Sequence, residues 1–216
     1  MKKIIIPVLL LAAQFSFQQV CAQEKTATAT IASTVQLTAK EKDDAVKLLS
    51  ETETGVFNSV KGLSAAQLAF KPAADKWSVE EGIKHIAAAE KSLWAMVDDL
   101  LKQPANPEKR AEIKFTDADL VKAVEDRSHK SKTFAMLEPA NSPYKTTEEA
   151  LVAFKENREK LIDFIKTTQL DLRNHVAVLP IGTYDAYQFV LLIASHSNRH
   201  TQQIEEVKAN EQFPKN

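Results

Sequence analysis

The stretch Ile193–Ile204, I-A-S-H-S-N-R-H-T-Q-Q-I, places His196 and His200 four residues apart in an apolar stripe of Phe189, Ile193, His196, His200, Ile204 and Val207. Residues four apart share a helix face, so both imidazoles stand where the period calls for core side chains and are expected to point inward. Two imidazoles in a bundle core are costly to bury without partners. A divalent metal suits their spacing and their neutral donor nitrogens.

Further helices can be read outward from this one. Thr38-Ala39-Lys40-Glu41 is a capping box, followed by Val46, Leu49, Val56, Phe57, Val60 and Leu63 at helical spacing; that helix is expected to end near Gly62. Ser64 to Trp77 carries Pro72 and reads as a connecting loop, with Trp77 packing at the bundle end. Ser78-Val79-Glu80-Glu81 opens a second long helix with the face Val79, Ile83, Ile86, Leu93, Val97 and Leu100. His85 lies on the flank of that face beside Gly82, Ala88 and Ala89, small residues that let another helix approach.

Pro104, Asn106 and Pro107 interrupt the chain, and Thr116-Asp117-Ala118-Asp119 caps a shorter helix expected to run through Leu137. A third long helix starts at Thr146 and carries Leu151, Phe154, Leu161, Ile162 and Ile165 inward. Leu170 to Tyr184 reads as a loop, and the last helix spans about Asp185 to Ala209. No strand pattern is apparent. The expected fold is all-α: a four-helix bundle over residues 38–210, with a long crossover between the second and third long helices carrying the short extra helix.

The crossover decides whether the histidines meet. In an up-down-up-down bundle the second and fourth long helices run parallel, which leaves His85 well short of His196 and His200. Gln103 to Lys145 is long enough to recross the bundle, making those helices antiparallel. His85 then lies about 10 Å from one end of the bundle and the other two roughly 12 to 18 Å from the same end, within reach of a helix slip or tilt. Three imidazoles with an open position suit Zn²⁺ or Ni²⁺, and not the all-oxygen sites of Ca²⁺ or Mg²⁺. Since protons compete for the same nitrogens, ordinary histidines would lose the ion below about pH 6, while mutual repulsion should lower the pKa values of the metal-free site.

Between the two imidazoles stand Ser197, Asn198 and Arg199, so the glutamate of the H-E-x-x-H peptidase helix is missing. His129, in R-S-H-K-S-K, reads as part of a solvated face, and His175 as a surface or mouth residue. Met1 to Ala22 has the charged start, apolar run and small-residue exit of a secretory signal peptide, and residues 23–37 read as a flexible linker. Cleavage after Ala22 would remove Lys2, Lys3 and the single cysteine. Lys plus Arg then falls from 28 to 26 against 29 acids, a net charge of −3. The balance argues against a nucleic-acid partner, and the missing thiol excludes disulfides and cysteine nucleophiles. The expectations are an exported, periplasmic or secreted protein with a small-molecule substrate and no stable membrane insertion after cleavage. A homodimer stays open.

The segments W-S-V-E-E-G-I-K-H, ending at His85, and H-S-N-R-H-T-Q-Q-I-E-E-V, starting at His196, resemble the DinB/YfiT-like superfamily of metalloenzymes over about residues 40 to 208. The resemblance implies a four-helix bundle with a long crossover and a metal held by three histidines, which map onto His85, His196 and His200. Arg199, Gln203 and Trp77 are candidates for orienting the ligands or a substrate. The activity implied is that of a metal-dependent hydrolase or transferase, with a non-catalytic metal-binding or stress-related bundle as the alternative.

Overall fold

Side-chain caps set the start of each long helix in the computed structural model, which describes residues 35–129, 132–180 and 182–215. Thr38 opens α1 (Ala39–Val60) and Ser78 opens α3 (Val79–Leu101), each in a reciprocal capping box with the glutamate three residues on. Thr146 caps α5 (Thr147–Thr167), and Asp185 caps α6 (Ala186–Lys208) by accepting from the Gln188 amide at 2.8 Å. Short helices α2 (Ala65–Ala69) and α4 (Asp117–Glu125) lie in the first connection and in the crossover. Among the described residues no helix is long and apolar enough to cross a membrane. The leader and most of the linker lie outside the described residues; at the linker's end Val35 donates to Asp171 at 2.9 Å and Leu37 is buried.

Contacts along the helices fix their directions. The Tyr187 hydroxyl donates to the Glu41 carbonyl, Gly55 faces Thr201 and the Lys208 ammonium reaches the Ser59 carbonyl, so α1 and α6 run parallel. Gly82 abuts Ile204, His85 meets His200 and Glu90 meets Ser197, so α3 and α6 run antiparallel, as expected from the crossover. Trp94 packs on Phe164 and Glu90 on Arg158, which makes α3 and α5 parallel. A Cβ on Gly82 would come within 3.1 Å of the Ile204 side chain, so glycine lets α3 lie close to α6 one turn before His85.

Three sequence expectations are corrected. The expected connecting loop from Ser64 to Trp77 contains α2, which Ser64 opens in a reciprocal capping box with Gln67. The short helix ends at Glu125, not Leu137, and between it and α5 the described residues form single 3-10 turns at Ala135–Leu137 and Pro139–Asn141. The Asp126 carboxylate accepts locally from the Ser128 amide and hydroxyl, while the Arg199 guanidinium, reaching over from α6, takes the carbonyls of Val124, Asp126 and His129, so side-chain bonds replace a further helical turn. The expected loop after α5 contains an antiparallel hairpin, β1 (Val176–Leu179) with β2 (Gly182–Asp185), paired from Val176↔Asp185 to Leu179↔Gly182. Strands of four residues are too short to show alternation. The turn depends on Gly182 at φ +137°, where a Cβ would lie 2.5 Å from the Tyr184 hydroxyl. Asn106 joins the start of the crossover to the hairpin through both main-chain groups of Val176.

Arg158, with no exposed surface, sits among all four long helices. Its guanidinium forms a fork on Glu90 of α3 at 2.6 and 2.7 Å, and also donates to the Leu49 carbonyl and Thr52 hydroxyl of α1 and to the Ser197 hydroxyl of α6. Removing one partner of such a pair leaves a charge buried and unpaired. Arg158→Met is expected to lower stability by about 3–5 kcal/mol in urea unfolding. Arg158→Met with Glu90→Leu should recover most of that loss, and an equally damaged double variant would contradict this account.

Candidate metal centre

His85 sits on the second turn of α3 and is 1% exposed, whereas His196 and His200, one turn apart on α6, keep partial exposure. One ring nitrogen from each of the three lies within 4.8 Å of the others. The His196 and His200 Nε2 atoms are 3.1 Å apart, close to the roughly 3.3 Å between two nitrogens on a tetrahedral zinc ion at its usual bond length. Trp77 closes one side: its ring centroid is 4.8 Å from that of His85, and it stacks on His200 at 5.9 Å and 22°. It therefore forms a wall of the cluster as well as an end of the bundle.

The outer nitrogens define which lone pairs are free. His85 Nδ1 is 2.8 Å from the Leu137 carbonyl, which can only accept, so Nδ1 carries the hydrogen and Nε2 is left as a donor to an ion. His200 Nδ1 makes the corresponding bond to Gln203 Oε1 at 3.0 Å. Neutral imidazoles with fixed outer nitrogens and inner nitrogens a few ångströms apart fit a borderline divalent cation. Among the described residues this cluster contains only histidine.

The remaining candidates occupy other roles. Arg199 does not turn to the cluster but holds the chain after α4 by its carbonyls. Gln203 orients His200. His129 has an exposed side chain and contributes its backbone oxygen to Arg199. His175 lies with the hairpin near the start of α6, bonded to the Asp171 and Gln103 carbonyls, and takes no part in the cluster. Leu137 acts through its main chain, which leaves no signature in residue type. Glu90 and Arg158, by contrast, occupy gaps in the inward stripes of α3 and α5, a charge at a core position that the sequence does display.

Burial holds all three histidines below their ordinary pKa. For His196 it does so down to about 3, with the nearby His85 and Arg199 adding to the effect. His200 is lowered by burial first and by His196 and His85 next, while in His85 burial outweighs the opposing bond to Leu137. Loss of solvation thus leads, with mutual repulsion second. Proton competition for an ion within the folded bundle should begin at more acidic pH than ordinary histidines would give.

The comparisons with known proteins agree with this architecture. A family model described as the DinB superfamily matches residues 48–204, and the chain belongs to that superfamily. The uncharacterized protein YuaE of Bacillus subtilis (strain 168) is 25% identical over 168 residues, covering 76% of this chain and 96% of YuaE. Among solved structures, YfiT from Bacillus subtilis aligns with a TM-score of 0.56 at 14% identity, over 82% of this chain and 91% of YfiT. It is described as a probable metal-dependent hydrolase with an unusual four-helix bundle topology.

The depressed pKa values have a consequence for the metal-free protein. Above about pH 6.5 the histidines are neutral in both folded and unfolded chains and add no pH dependence. Below it the unfolded chain takes up protons that the folded bundle refuses, so stability falls as pH drops toward the folded-state values. Melting temperature measured in the presence of a chelator should therefore fall from pH 7 to pH 5. The slope should be shallower in His196→Leu; equal slopes would mean that other groups set the pH dependence.

Proposed function

We propose that this protein is an exported metal-dependent enzyme, a hydrolase or transferase acting on a small molecule, with Zn²⁺ or Ni²⁺ held by His85, His196 and His200. The observation that carries the reading is the convergence of three imidazoles whose outer nitrogens, in His85 and His200, are already bonded away from the cluster. The description of YfiT as a probable metal-dependent hydrolase supports it by likeness of fold. A bound ion would supply Lewis acidity for polarising a substrate carbonyl or activating water. Trp77 would then border the reacting centre, while Leu137 and Gln203 hold the ligand rings in place.

One observation favours a second reading, a metal-binding bundle without catalysis. Among the described residues no carboxylate joins the histidine cluster, so a general base has no evident source there. Metal analysis of untagged protein, followed by turnover assays on esters, amides and thiol acceptors with and without chelator, separates the two. Under the first reading the chelator abolishes turnover; metal binding without turnover of any kind selects the second.

Each of His85→Ala, His196→Ala and His200→Ala should weaken zinc binding by more than the roughly 10- to 100-fold caused by loss of an outer partner. Wild-type zinc affinity in all three variants would eliminate the site. Export rests on the leader-like residues 1–22, and mass spectrometry of the protein recovered outside the cytoplasm should find its first residue near Gln23. Recovery of the full-length chain in the cytoplasm alone would contradict it.

A further inference from the structure

His85 and His200 differ in how their proton is fixed. His85 faces the Leu137 carbonyl, which cannot exchange an acceptor for a donor. His200 faces a side-chain amide, and an amide turned end for end would offer NH₂ to Nδ1. The imidazole hydrogen would then move to Nε2, closing the lone pair that faces the cluster.

We propose that Arg127 is a positioning residue that prevents this turn. Its guanidinium, only 19% exposed, forks onto both Glu206 oxygens at 2.9 and 2.7 Å and points Nη1 at Gln203 Oε1, 3.5 Å away. A guanidinium carries donors only, so the turned amide would set NH₂ against N–H at Arg127 as well as against the imidazole donor. The oxygen is therefore fixed between Arg127 and His200, Nδ1 keeps its hydrogen, and Nε2 keeps its lone pair, which in the metal-free bundle accepts from His196 Nε2 3.1 Å away. Arg127 lies just past α4 in the crossover, more than 70 residues from Gln203, so nothing in the local H-S-N-R-H motif reveals it. With Leu137, it makes the crossover the source of what orients both His85 and His200.

The proposal rests on the metal reading for its purpose, but its first test needs no metal. Nitrogen-15 NMR of the chelated wild-type protein at pH 8 should show His200 with a protonated Nδ1 and a bare Nε2. Arg127→Met should introduce a substantial Nε2–H population. Glu206→Gln, which removes the ion pair and keeps the guanidinium, should leave the tautomer as in the wild type. Gln203→Glu placed on the Arg127→Met background should restore it, because a carboxylate accepts from either side. Zinc affinity should follow the same order, falling about 10-fold in Arg127→Met and recovering in the double variant.

An unchanged His200 tautomer in Arg127→Met would overturn the proposal, even if zinc affinity fell, because Arg127 would then act only by holding the crossover in place. Equal tautomer mixing in Glu206→Gln would overturn it too. A tautomer that responds as expected in a protein that binds no zinc would support the positioning role and sink the metal reading.

Discussion

A single guanidinium sets the relation among the four long helices. Arg158 is the only side chain described above that touches α1, α3, α5 and α6 together, and its fork leaves little freedom in how Glu90 and Ser197 approach it. Apolar packing alone tolerates sliding of one helix along another, whereas a bidentate charge pair with no exposed surface admits one register. Ser197 follows His196 directly, and Glu90 lies five residues beyond His85. The register that satisfies the ion pair is therefore the register that brings the imidazoles together. Positioning of the candidate site is inherited from a contact that takes no part in it.

The crossover has a comparable double role. It reverses the direction in which α5 enters the bundle, and its path then crosses α6, where Arg199 takes three of its carbonyls and Arg127 pairs with Glu206. Held there, it presents the Leu137 oxygen to His85. The clamp and the clustered histidines alternate on one helix: Arg199 stands beside His200, and Gln203 and Glu206 continue the row.

How much of this the sequence displays follows from how local each feature is. The long helices announce themselves through caps and period: Thr38 with Glu41, Ser78 with Glu81, and the stripe through His196 and His200. The His85 contact is legible as well, because the length of 103–145 permits a recrossing that matches depths along the bundle. The β1–β2 hairpin is invisible, since four-residue strands carry no alternation and their pairing depends on one glycine with positive φ. The end of α4 is equally hidden, because a side chain more than 70 residues away captures its carbonyls. The inward charges at positions 90 and 158 could have been paired from the stripes alone, as each fills a core position where an apolar residue was due.

The arrangement also bears on how the chain reaches its native state. Helices α1 and α3 follow one another in sequence, yet each packs mainly against α5 and α6 rather than against the other. The contacts that join the bundle span long stretches of chain: 109 residues from Arg158 to Leu49, 107 from Ser197 to Glu90, and 146 from Tyr187 to Glu41. In a simple up-and-down bundle each new helix finds its partner in the one just made, and the entropy of closing each loop is small. Here the first half of the chain has no partner surface of its own and must wait for the second. Folding should accordingly be slower than helical content alone suggests, with the apolar faces of α1 and α3 open until α5 and α6 arrive.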